Sequence, residues 1–269
     1  MFKWGKIFRD SDFVKLPEAL LLEENLFIVF SMSIRKTPIL NSEYYHIYNR
    51  GNSKKRIFLD NEDYLRFIKL LYLCNSDKNI NFRTDIVEKN ISAWDFGRGN
   101  VLISIGAWVL MPNHFHLYLT GSRSKASGEM DNAIIIFLQK LSTAYVKYFN
   151  AKYKHTGSLF EGKFKSVHVK DDIQSKYLFS YIHLNPIKLI QADWKENGIK
   201  DLQKTLDFIN SYKWSSLHYF KGKKLPENVI INSKDFPDYF EITGSFEKEI
   251  LEWFSSNSPE ARLLEGEIN

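Results

Sequence analysis

Two apolar strands joined by a three-residue turn constrain this chain more than any other feature. Residues 101–110 form a strongly β-prone run, residues 114–120 form another, and Met111-Pro112-Asn113 between them is a turn signal. Together they predict a hairpin. Its second strand holds His114-Phe115-His116-Leu117, and alternate strand residues share a face. His114 and His116 therefore point one way, and Phe115 and Leu117 the other. Two imidazoles converging from one rigid strand form half of a divalent-metal site. The alternative is a surface-facing polar row on an amphipathic strand.

Around the hairpin the periodicity alternates between strand and helix. Residues 43–49 alternate as a strand, and Arg50-Gly51-Asn52-Ser53 is a turn. Residues 60–74 have helical spacing at Tyr64, Phe67, Ile68, Leu71 and Tyr72, with Asp60 or Asn61 as the cap. Residues 75–100 read as an inserted polar loop with room for a short strand or hairpin. Residues 129–153 carry a long apolar stripe through Ile134, Leu138, Leu141, Tyr145 and Phe149. A strand ending at Val169 and a helix over 171–184 follow, and Pro186 restarts the chain as a short helix. This order predicts an α+β fold: a ferredoxin-like, split βαβ antiparallel sheet with helices on one face and a helical C-terminal extension. The expected units are an N-terminal extension over 1–40, a catalytic domain over 41–195 and the extension over 196–269.

The 269 residues suffice for a sizeable core, and a net charge of +5 leans toward an anionic partner. Cys74 is the sole cysteine and sits in an apolar run. Disulfide frameworks and thiolate zinc sites are therefore excluded, and a reducing cytoplasm fits. The apolar stretch over 19–34 is interrupted by Glu23, Glu24 and Asn25, too short and too charged to span a bilayer, and lacks the order of a signal peptide.

The helix over 171–184 supplies the other half of the site. Tyr181 and Asn185 are spaced i, i+4, so they share a face if the helix runs through Asn185. A phenol beside an amide oxygen is a nucleophile-and-ligand pair. Tyr181 could equally be a half-buried core tyrosine, and Asn185 before Pro186 could be an N-cap. Tyr177, one turn earlier, is the rival nucleophile. His183 faces another side of the helix, which favours packing or a hydrogen bond over ligation, and His46 could support the site from the first strand or equally be a plain strand residue.

Three blocks stand in order: Tyr44-Tyr45-His46-Ile47-Tyr48-Asn49-Arg50-Gly51, Met111-Pro112-Asn113-His114-Phe115-His116-Leu117 and Tyr181-Ile182-His183-Leu184-Asn185-Pro186. Over roughly residues 40–220 the chain resembles the single-tyrosine HUH transposases, in particular the REP-associated tyrosine transposase branch of the insertion-sequence transposases. The segment over 157–165 and Trp214-Ser215-Ser216 also resemble that branch. The resemblance implies His114 and His116 as metal ligands, Asn185 as the third ligand and Tyr181 as the nucleophile. It implies cleavage and rejoining of single-stranded, hairpin-forming DNA through a 5′-phosphotyrosine, in a bacterial cytoplasmic protein associated with the nucleoid, monomeric or homodimeric. Departures are the 40-residue start, the loop over 75–100 and the tail; none removes a motif residue.

Two imidazoles and an amide are neutral ligands, so a bound Mg²⁺ or Mn²⁺ keeps its full charge for a phosphate oxygen. A phosphotyrosine conserves the bond energy, and the chain has no Walker-type glycine loop, so no nucleotide cofactor is expected. Lys163, Lys165, Lys170 and Lys188 are candidate phosphate contacts, and Arg50 holds either DNA or its own turn; for any single lysine the alternative is a solvated face. Two other readings stay open: a non-catalytic nucleic-acid binder on the same fold, which would expose aromatics on the sheet, and a replication initiator of related chemistry.

Overall fold

The computed structural model describes residues 39–40, 43–122 and 132–237. The expected N-terminal extension, except residues 39 and 40, the basic link over 123–128 and the end of the tail lie outside them. Four strands, β1 (Tyr44–Arg50), β2 (Ile103–Met111), β3 (His114–Gly121) and β4 (Lys165–Val169), form one antiparallel sheet in the order β2-β3-β1-β4. Helix α1 (Asn61–Leu73) links β1 to β2, and α2 (Ala133–Tyr153) links β3 to β4. This is the split βαβ arrangement that the sequence predicts. No helix among the described residues is long and apolar enough to cross a membrane.

Strand alternation divides the sheet into two faces. Tyr45, Ile47, Phe115, Leu117 and Leu119 point to the first, where they join Phe67, Leu71, Phe137, Leu141 and Tyr145 of α1 and α2 in the main core. Asp60 caps α1 in a reciprocal capping box with Asp63. Asp63 is fully buried, and it accepts hydrogen bonds from Tyr148 and Tyr153 (2.8 Å each) and from Lys152 (3.0 Å), which tie α2 to the start of α1. Helices on one face, as expected, describes α1 and α2. Helix α3 (Asp172–Leu184) instead lies on the second face, against Ala107, Val109, Met111 and Tyr118.

A bulge at Gly106 makes that second face. Ile105 pairs with Leu119 and Ala107 with Tyr118, so one extra residue in β2 reverses its alternation. Beyond it, Val109 and Met111 stand opposite His116 and His114. The loop over 75–100 contains no strand: it holds a π turn at Arg83–Val87 and a 3₁₀ turn at Ala93–Asp95. Asn75 fixes its root, its side chain accepting from the backbone of Leu102 (3.0 Å) and Ile103 (2.9 Å).

Helix α4 (Trp194–Asn197) straddles the expected boundary at residue 195, and the extension contains α5 (Leu202–Ser211) and α6 (Leu217–Phe220). It also shields the open edge of β2. Leu110 N–H donates to Trp214 O and Ser216 N–H to Trp108 O (2.9 Å each), and Asn232 N–H donates to Ile105 O (3.1 Å). Phe236 then lies directly over the bulge, so a Cβ on Gly106 would approach its ring to 2.7 Å. Gly106→Ala should therefore cost about 1–3 kcal/mol by overpacking, seen as a lower urea midpoint; wild-type stability would contradict this packing.

Candidate active site

Helix α3 is pinned to the second face by buried hydrogen bonds. Tyr118 Oη and Ser175 Oγ lie 2.6 Å apart. His183 Nδ1 donates to Phe179 O (2.9 Å), leaving Nε2 to accept from Ser216 Oγ (2.8 Å), which itself accepts from Trp108 N–H (2.9 Å). His183 is thus a neutral clasp between α3, β2 and the extension, as its position in the helix implied.

Under α3 lies a row of rings. His46 and His116 stack with centroids 5.0 Å apart, and the Tyr181 ring stands edge-on to His116 at 5.3 Å and 85°. His114 lies 5.0 Å from His116. Asn113 Oδ1 accepts from His114 Nδ1 (2.6 Å), and His46 Nε2 lies 2.9 Å from His116 Nδ1. Assigning the latter proton to His116 makes both Nδ1 atoms donors and leaves both Nε2 atoms with lone pairs, the arrangement a metal-ligating imidazole uses. His46 Nδ1–H then remains unpartnered. Burial lowers His114 to about 4 and His116 well below its ordinary value, so both are neutral at physiological pH.

Asn185 closes α3: its N–H bonds Tyr181 O, and its side chain caps nothing. The N-cap alternative is therefore not realised; Leu184 occupies that position before the 3₁₀ turn at Asn185–Leu189. The carboxamide is buried and neither polar atom has a hydrogen-bond partner of good geometry, yet it is near enough to raise His114's affinity for a proton and to lower that of Tyr181. His116 Nε2 is likewise buried without a partner. Among the described residues no three His, Cys, Asp or Glu side chains gather to hold an ion. A cation site here would consist of His114, His116 and the amide of Asn185. The unmatched imidazole nitrogen and amide oxygen make a mixed donor set, which Mn²⁺ would accept more readily than the harder Mg²⁺.

A cleft of about 360 Å³ opens beside these groups. Tyr181, His114, His116 and Tyr48 line its floor, and Arg50, Lys54, Lys163, Lys165 and Lys188 its walls. Glu161 is the one carboxylate among its lining side chains, and it pairs with Arg50, the Nη2–Oε1 contact being 2.9 Å. Four of the five expected phosphate contacts meet here. Lys170 does not: Lys165 pairs beside Tyr48 at the cleft end of β4, while Val169 pairs with Tyr44 at the other end, and Lys170 follows it. Tyr177 also does not line the cleft; it stacks behind Tyr181 at 6.2 Å. Burial pushes Tyr181 up to about 12, so its phenol is protonated at neutral pH. Periodicity gave no sign of Lys54 or Asn113, although both adjoin residues singled out in the sequence. Cys74 is buried, with its thiol pushed up to about 12.

No family model matches the sequence, and no curated protein matches it. Among solved structures, the chain is similar to a REP-associated tyrosine transposase bound to a REP hairpin, with 12% identity and a TM-score of 0.41 over 79% of this chain and 94% of that one. It is also similar to tRNA(His) guanylyltransferase from Saccharomyces cerevisiae, with 13% identity and a TM-score of 0.29 over 76% and 85%. Likenesses at this level carry no argument about the site.

The buried imidazoles make stability pH-dependent. Burial lowers His46 and His183 from 6.5 to about 3. Between those values the unfolded chain binds protons that the folded chain does not. Stability is therefore full above pH 6.5 and falls as pH drops, by up to about 1.4 kcal/mol per pH unit for each histidine. Urea unfolding between pH 7.5 and 5 should show the decline; a flat profile would contradict neutral buried imidazoles.

Proposed function

We propose that the protein is a nucleic-acid-processing enzyme, a single-tyrosine transposase or related endonuclease that cleaves and rejoins single-stranded, hairpin-forming DNA. One observation carries the reading: a cleft lined by five cationic side chains also holds the Tyr181 phenol, whose ring stands edge-on to the neutral imidazole of His116. The cations suit a phosphodiester backbone. A cleft of about 360 Å³ lined by cations and Tyr48 suits an unpaired nucleotide.

In this reading Tyr181 Oη loses its proton and bonds to phosphorus. The P–O3′ bond breaks, the 3′ oxygen takes up a proton, and a 5′-phosphotyrosine remains. Reversal with another 3′-hydroxyl rejoins the strand without nucleotide hydrolysis. Lys163, Lys165 and Lys188 would draw the backbone in, and Arg50 would exchange Glu161 for phosphate or keep that pair as a wall. His114, His116 and Asn185 would hold Mg²⁺ or Mn²⁺. Such an ion supplies positive charge for a non-bridging phosphate oxygen. The protein's own task is to keep both imidazoles neutral and Tyr181 fixed against them.

The binder reading needs aromatics exposed on the sheet. Here Tyr118, His46 and His116 on the second face are all under 4% exposed, and Tyr48 at the cleft is half-buried. That burial favours the enzyme. A replication initiator would share the same chemistry.

Tyr181→Phe should reduce covalent adduct formation on a labelled single-stranded hairpin with Mn²⁺ by at least roughly 1,000-fold, with oligonucleotide affinity within about 3-fold of wild type. An undiminished adduct band on a denaturing gel would overturn the assignment. Calorimetry without DNA should find one Mn²⁺ site, weakened at least roughly 100-fold in His116→Ala; equal affinity would remove His116 from the ligand set.

A further inference from the structure

Lys195 approaches Tyr181 from outside the cleft. Its Nζ lies 4.5 Å from the centroid of the phenol ring, and the residue is not among those lining the cleft. It reaches this position on α4, a single helical turn. The neighbouring residue, Trp194, is 3% exposed and packs with Leu184, Ile187, Ile209 and Leu217. That cluster joins the end of α3 to α5 and α6. The extension therefore fixes where Lys195 can reach, and does so from the helix end that carries Asn185.

The Lys195 side chain is half-buried, and burial together with nearby Lys188 lowers its proton affinity to about 7, only partly offset by Glu196. Holding an ammonium in such surroundings costs stability. A cation over a ring face is attracted by the ring's quadrupole and resists tilting of the ring. The ring in question carries the hydroxyl proposed as nucleophile.

We infer that Lys195 is a positioning residue for Tyr181, its positive charge holding the phenol edge-on to His116; the inference rests on the reading of Tyr181 as nucleophile. Lys195 touches neither substrate nor metal ligands in this account. It acts on the rate at which bound DNA reacts, and not on DNA affinity, which belongs to the cleft lysines.

The test separates rate from affinity. At pH 6, where Lys195 carries its proton, Lys195→Met should lower the rate of adduct formation at saturating single-stranded oligonucleotide roughly 10- to 30-fold, with Kd changed less than about 2-fold. Lys195→Gln gives the same neutral comparison should the Met variant fold poorly. Charge should rescue: Lys195→Arg should recover most of the rate, and so should Lys195→Cys after alkylation with 2-bromoethylamine, which rebuilds an ammonium. Buried Cys74 is shielded from that reagent. A wild-type rate in the neutral variants, or a loss that neither rebuilt cation restores, would overturn the inference. Absence of any adduct from the wild-type protein would instead remove the function proposed for Tyr181, and this inference with it.

Discussion

The candidate site depends on α3 lying across the second face of the sheet. Without it, His46 and His116 would be solvent-facing rings of an amphipathic strand. With it, they are 2% and 3% exposed, neutral, and edge-on to a phenol. The helix is positioned by side chains outside the cleft: Ser175 on Tyr118, and His183 on Ser216. Ser216 belongs to the extension, so residues beyond 195 help to hold the reactive helix down. Apolar burial on that face supplies the driving force, and the hydrogen bonds choose the register.

Charge is distributed as an anion-binding site requires. Five cations surround a cleft with a single carboxylate, already paired to Arg50. Like charges brought together in this way repel one another, an arrangement that bound phosphate relieves. The burial that keeps the histidines neutral also suppresses ionisation of Tyr181. Positive charge is what can offset that suppression, whether from the cleft lysines or from a divalent ion.

Much of this was legible in the sequence because it is local. The two-residue alternation of β3 placed His114 and His116 on one face, and i, i+4 spacing brought Asn185 under Tyr181. Asp60 caps α1 where its sequence context predicts. What was not legible depends on distant partners. The residues of α3 from Tyr177 to Leu184 are all buried, so no polar side announces which face of the sheet it covers. Lys170 does not line the cleft because five residues of strand carry it past the far end of β4. Lys195 left no trace in the pattern, since its position follows from the way Trp194 packs among residues 184–217.

Mass spectrometry of the trapped complex tests the central claim most directly. Wild-type protein reacted with single-stranded DNA and Mn²⁺, then digested with nuclease and trypsin, should yield the peptide from Tyr177 to Lys188 carrying a residual nucleotide. Fragmentation should place that mass on Tyr181. A nucleotide on Tyr177, on another residue, or on none would contradict the account.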